Sequence, residues 1–124
     1  MIKKEKNIML YIEDILESVD KIEEYIGEIK EEDFYRNTQL QDSILRRLEI
    51  IGEAAKNIPM DFRNKYSIIP WKRMAGMRDV LIHEYFGVNL KRVWRAVKKD
   101  LPRLKKEILN IIETEAGKAN RAER

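Results

Sequence analysis

The stretch NIMLYIEDILESVDKIEEYIGEI, residues 7–29, decides the fold class. Ile8, Ile12, Ile15, Val19, Ile22, Ile26 and Ile29 step alternately by four and three residues, with Glu, Asp and Lys between them. That spacing predicts a long first helix with one narrow apolar stripe, suited to a bundle or to a dimer seam. Working outward, KEEDFYRN (residues 30–37) breaks the pattern and reads as a connection. A second helix then carries Leu40, Ile44, Leu48, Ile51, Ala55 and Ile58 inward, and Pro59 stops it for want of an N–H.

Further along, MDFRNKY (60–66) reads as one or two helical turns. Pro70 opens another helix, at the position where a missing N–H costs nothing, and glycine at Gly87 permits its exit. Asn89 is a candidate N-cap for LKRVWRAVKK, and Asp100 is expected to cap or kink the start of LPRLKKEILNIIETE. No strand-type alternation appears. The reading is an all-α bundle of about four to six helices, forming one domain over residues 1–115 with a frayed basic tail at 116–124. Gly52 in IGEAA and Gly76 in MAGM each cost about 1 kcal/mol relative to alanine inside a helix. Close approach, between these two helices or to a second subunit, is the expected return. Trp71 and Trp94 read as packing anchors, since no aromatic array surrounds them to stack bases.

Composition removes whole classes of function. The 124 residues hold no cysteine and one histidine, which leaves too few ligands for a zinc site, and no structural metal or cofactor is expected. No apolar run is long enough to span a bilayer and no signal pattern opens the chain, so the expected location is the cytoplasm. The net charge of +3 conceals a gradient. Residues 1–60 carry 9 basic and 14 acidic side chains, whereas residues 91–124 carry 11 and 5. A polyanion could be drawn to the basic end, although wet helix faces are charged for ordinary reasons too.

The chemistry concentrates in GMRDVLIHEYFGVN, residues 76–89, which holds the single histidine, His83. Asp79 lies four residues before it, on the same helical face, where a carboxylate can fix the imidazole tautomer. Arg78 lies five before, about 140° around an ideal helix, so the two reach one point only if the arginine curls round or if they meet across a two-fold axis. Histidine with arginine and no metal suits a phosphodiester. The imidazole moves the proton of a ribose 2′-hydroxyl or of the leaving oxygen, and the guanidinium binds the phosphate at two points. The competing reading is a boundary histidine beside a surface Arg–Asp pair. Arg46, Glu49 and Glu53, spaced i, i+3 and i+7, form either a polar patch facing the motif helix or a salt-bridged wet face.

LRRLEIIGEAAKNIP (45–59), IPWKRMAGMRDVLIHEYFGVNLKRVW (69–94) and KKDLPRLKKEI (98–108) together resemble the HepT family of HEPN-domain proteins. The resemblance runs from the first helix to about residue 112, and its most specific part is Arg-x4-His-x-Tyr, here Arg78, His83 and Tyr85. It implies a HEPN-like homodimer that brings two such motifs into one cleft and cleaves RNA as a metal-independent endonuclease. Carried over by position, Arg78 and His83 are catalytic, Asp79 supports them, and Tyr85 accepts AMP. The family further implies the toxin half of a toxin–antitoxin pair, silenced by a cognate minimal nucleotidyltransferase of the MntA type, with a heteromer of toxin and antitoxin as a further assembly. AMP on Tyr85 would put charge and bulk two residues from His83, against Arg78. A reading from another class is a non-catalytic helical module that holds a nucleotide or serves as partner subunit of a nucleotidyltransferase.

Overall fold

A computed structural model describes residues 2–83 and 89–122, with side chains described for 7–77 and 89–121. Among these residues there is no strand. The elements are α1 (Ile2–Ile26), α2 (Glu31–Arg36), α3 (Thr38–Lys56), α4 (Met60–Lys65), α5 (Trp71–His83), α6 (Leu90–Arg95) and α7 (Leu101–Ala122). A single π turn, Ala96–Asp100, joins α6 to α7, so the last two form one continuous rod and the described chain has six.

The apolar stripe of α1 is the spine of the core. Ile12, Ile15, Val19 and Ile22 are wholly buried, Ile8 and Ile26 nearly so, and Ile29 packs against them from the connection. The stripe is therefore spent inside one chain. On α3, Ile44, Leu48, Ile51 and Ala55 meet it, and α3 packs extensively on both α1 and α5. Among the described residues Ser18 is the one polar residue in this core, and its hydroxyl is buried without a partner.

The segment 30–37 is more than a connection. Residues 31–36 form α2, started by Glu31, Glu32 and Asp33, whose charges suit a helix N-terminus. Its Phe34 is wholly buried, with ring centroids 5.5 Å from Trp94. Gln41 then donates from Nε2 to the carbonyls of Phe34 (2.9 Å) and Tyr35 (3.1 Å), closing the free end of α2. Asn37 caps α3, its side chain accepting the Leu40 N–H at 3.0 Å.

The far end of α3 is closed from α4. Arg63 donates from Nε to the Ile58 carbonyl at 2.9 Å, and from Nη2 to those of Ala55 at 2.9 Å and Lys56 at 3.2 Å. A fixed cation at a helix C-terminus satisfies carbonyls that have no partner within the helix and meets the dipole with the right sign. Replacing Arg63 with Ala is expected to cost about 1.5–3 kcal/mol, the range for hydrogen bonds made by a charged group. Urea unfolding checks this, and Arg63→Lys should restore only part, because an ammonium lacks the fork.

Pro70 precedes α5, and Trp71, buried at its first position, donates from Nε1 to the Tyr66 carbonyl at 3.0 Å. Since α5 starts at the C-terminal end of α3 and packs along it, it must run back antiparallel. The helices of Gly52 and Gly76 pack on each other as expected, but not through Gly76. It is exposed, and a Cβ built there would meet nothing within 4 Å, so no close approach inside the chain uses it. Gly52 on α3 is buried.

Asn89 caps α6 as expected, accepting the Arg92 N–H at 3.2 Å. Asp100 caps nothing: the backbone is helical through it, and the Leu101 N–H reaches the Ala96 carbonyl five residues back. Pro102 explains the wide turn. Its ring has no N–H and would strike the Lys98 carbonyl in a regular α-helix, and one added residue per turn gives that carbonyl room. Beyond residue 115, α7 stays helical to Ala122, with residues 118–121 exposed.

The last helix is tied to the rest at two points. Lys105 meets Asp20 and Glu23 of α1, each at 3.0 Å. Glu115 accepts a short hydrogen bond from the Tyr66 hydroxyl and pairs with Lys65 at 3.0 Å. Burial and the adjoining Glu115 carboxylate push the Tyr66 phenol up to about 12. Burial alone would raise the Glu115 carboxyl, but the Tyr66 hydroxyl and Lys65 ammonium outweigh it and hold the group below its ordinary value. The contribution of Glu115 is therefore present above pH 4.5, its ordinary value, and is lost as pH falls through the lower folded value. That of Tyr66 is complete below pH 10 and lost as pH rises through about 12. In Glu115→Gln the acid loss of stability should flatten and the phenol should titrate closer to pH 10, read by phenolate absorbance.

Candidate functional site

The motif helix places Arg78, Asp79 and His83 on the last two turns of α5. The helix is continuous from Trp71 to His83, so the four-residue step from Asp79 to His83 spans one helical turn, as the spacing requires. Their side chains, and Tyr85 with the predicted exit at Gly87, lie outside the described residues. Because α5 runs back along α3, these last turns lie toward the N-terminal half of α3, and Asn89 starts α6 six residues beyond His83.

A second polar feature opens between α1 and α3. Tyr11 and Asp14 of α1 face Arg46, Glu49 and Glu53 of α3 across a concavity of about 300 Å³, with Ile50 and Ala54 completing its wall. Arg46 and Glu49 pair at 3.4 Å with the arginine largely exposed, the geometry of a solvated i, i+3 pair worth little in stability. The i, i+3, i+7 spacing on α3 thus marks residues that share one side. The α1 contribution was invisible in the sequence, since Tyr11 and Asp14 reach the cavity only through helix packing. Among the described residues no group of three or more His, Asp or Glu side chains is placed to hold a metal ion.

Trp94 is no stacking platform: it is half-buried between Phe34 and Lys98, whose Nζ stands 5.4 Å from the indole centroid. Trp71 is buried outright. Both serve packing, as their isolation in the sequence implied. None of the described helices is long and apolar enough to cross a membrane.

Comparison with known proteins addresses the same region. The family model described as "Ribonuclease HepT-like" matches residues 15–111, from the middle of α1 to the middle of α7 with α5 inside. A protein of Methanocaldococcus jannaschii named "Gamma-glutamylcyclotransferase and putative RNase" is 56% identical over 108 residues, 87% of this chain and 49% of that protein. The chain thus spans about half the length of that relative. "Probable ribonuclease HepT" of Thermococcus cleftensis is 53% identical over 95 residues, covering 77% of this chain and 86% of its own. A "Putative RNase" of Caldanaerobacter subterraneus is 47% identical over 105 residues, covering 85% and 94%. No solved structure matches the chain. With a family model covering most of its helical core and relatives more than 40% identical along most of its length, the chain belongs to the ribonuclease HepT-like family.

Proposed function

We propose that this protein is a metal-independent RNA endonuclease, with Arg78 and His83 as its catalytic pair and Asp79 supporting the histidine. The observation that carries the reading is the regular helix of α5 through His83, inside the span matched by the family model. It puts an arginine and the chain's single histidine within two turns of each other. In the reaction, the ribose 2′-oxygen attacks phosphorus as His83 accepts its proton. The bond to the 5′-oxygen breaks, that oxygen takes a proton, and Arg78 stabilises the added negative charge on the phosphoryl oxygens.

One histidine serves poorly as both base and acid. A homodimer that places two motifs in one cleft supplies the second, and also resolves the angular offset between Arg78 and His83. The open surface of α5 at Gly76, two residues before Arg78, fits a second copy packed there. Tyr85 is the AMP acceptor in this reading, and the modifying partner is a minimal nucleotidyltransferase that acts as antitoxin to this toxin. An adenylyl group there carries a phosphate that pairs with Arg78 and excludes the RNA backbone.

The test is cleavage of a mixed RNA pool by purified, unmodified protein in excess EDTA. Cleavage establishes a ribonuclease that needs no divalent ion. A well-folded protein that cuts nothing would instead support the nucleotide-holding partner subunit. Incubation with a cognate minimal nucleotidyltransferase and ATP should add one AMP mass to the wild type and none to Tyr85→Phe.

A further inference from the structure

The rod formed by α6, the π turn and α7 buries Val93, Val97, Leu101, Ile108 and Ile111, with Leu104 partly covered between them. Two residues after an inward position, a helical side chain has turned about 200° and faces outward. The positions two beyond Val93, Val97, Leu101 and Leu104 are Arg95, Lys99, Arg103 and Lys106, and Lys91 continues the row one turn earlier. All five are exposed. None of them makes an ion pair among the described residues, although Lys105 beside them is drawn to the acids of α1. The acids on this part of the rod, Asp100 and Glu107, are also free of ion pairs to the row.

Repeated steps of four would wind round an α-helix by about 40° each. The π turn holds more residues per turn, so it takes up this drift and keeps the cations on one side. The result is a row of charge on one side of the rod, roughly 22 Å long, with one cation about every 6 Å along the axis. It begins close to the motif, because Asn89 is six residues from His83 and those residues span at most about 20 Å.

We propose that this ridge is a track for the RNA phosphate backbone, holding the strand outside the cleavage centre without reading its bases. The inference rests on the ribonuclease reading for its choice of RNA. An unpaired, evenly spaced row of like charges complements a polymer with one charge per unit, and an acidic protein surface seldom sustains such a repeat. No aromatic residue other than Trp94 occurs in α6–α7, and Trp94 is occupied by Phe34 and Lys98. The contacts are therefore to phosphate alone, and binding along the ridge is independent of sequence.

The experiment measures binding of mixed-sequence 2′-O-methyl RNA oligonucleotides across a salt series, by fluorescence anisotropy. Blocking the 2′-oxygen removes the nucleophile, so binding is read whether or not the protein cleaves RNA. The triple variant Arg95→Gln, Lys99→Gln, Arg103→Gln is compared with a matched triple elsewhere, Lys21→Gln, Lys30→Gln, Lys56→Gln. Losing three phosphate contacts should flatten the slope of log affinity against log salt by about 2 and weaken binding roughly tenfold or more at low salt. The matched triple should change the slope little. Equal effects of the two triples, an unchanged ridge variant, or a wild-type slope near zero would each overturn the track. Polyglutamate bound as tightly as RNA would overturn RNA as its occupant. Failure of the ribonuclease reading shows separately, as absence of cleavage of ordinary RNA by the wild type.

Discussion

His83→Ala should lower RNA cleavage by about 10²–10⁴-fold while leaving the helical content of the protein unchanged. The loss is large because the chain holds no second histidine or any cysteine to take over proton transfer. Arg78→Ala should lose about 10²–10³-fold, the scale for removing one donor to transition-state charge. Arg78→Lys should recover only part, since a point charge cannot bind two phosphoryl oxygens in the fork geometry. Mixing the two inactive alanine variants adds a second readout. If one histidine served by the arginine of the other protomer suffices, the mixed dimer keeps one such pair and part of the activity returns. If the cleft needs the histidines of both protomers, or if the pair acts within one chain, the mixture stays inactive. Cleavage by His83→Ala at the wild-type rate would remove the histidine from the mechanism altogether.

The largest effect on stability is expected at Phe34. It is the bulkiest of the wholly buried side chains among the described residues, and it sits on α2 with its ring against Trp94 of α6. Phe34→Ala removes the aromatic ring from a packed interior and leaves a cavity, at a cost of about 3–5 kcal/mol. The melting temperature should fall by roughly 10–20 °C, with urea unfolding giving the free energy directly. Phe34→Leu should recover much of the loss, because it restores most of the volume. A change below about 0.5 kcal/mol, the size typical of surface positions, would show that α2 is not part of the cooperative core.

That α2 was misread as a connection is instructive. A helix of six residues cannot show a period, and its single apolar anchor lies among Glu31, Glu32, Asp33, Tyr35 and Arg36. The long helices were legible because their stripes repeat over several turns: every isoleucine of the α1 row falls on the core, as do Ile44, Leu48 and Ile51 of α3. Local chemistry was legible too, in the Asn89 cap and the Pro70 entry to α5. At Asp100 the cap, one of the two expected outcomes, is not made, for a different reason. The sequence offers a capping residue before a proline, and the chain answers Pro102 by widening one turn and carrying the helix on.

For the site, spacing sufficed to put Arg78, Asp79 and His83 on one helix, and to gather Arg46, Glu49 and Glu53 on one side of another. Spacing says nothing across helices. Tyr11 and Asp14 join the α3 residues only because α1 and α3 pack antiparallel, and Arg63 reaches back to α3 only because α4 folds against its end. Gly76 shows the converse, a small residue in a helix where a Cβ would meet nothing within 4 Å.

The π turn sets the terms on which this protein can vary. It works as a phase adjuster between two halves of one rod, fixing which side of α7 meets the core. Deleting one residue from Ala96–Asp100 would rotate everything after it by about 100°, turning Leu101, Ile108 and Ile111 off the core while carrying the cationic row round with them. A residue gained or lost between α1 and α2 displaces one half-buried side chain, Ile29, and leaves the phase of every helix as it was. Across descendants of this sequence, lengths should therefore drift at the loops and stay locked between Val93 and Leu101, even where the exposed side chains in between are exchanged.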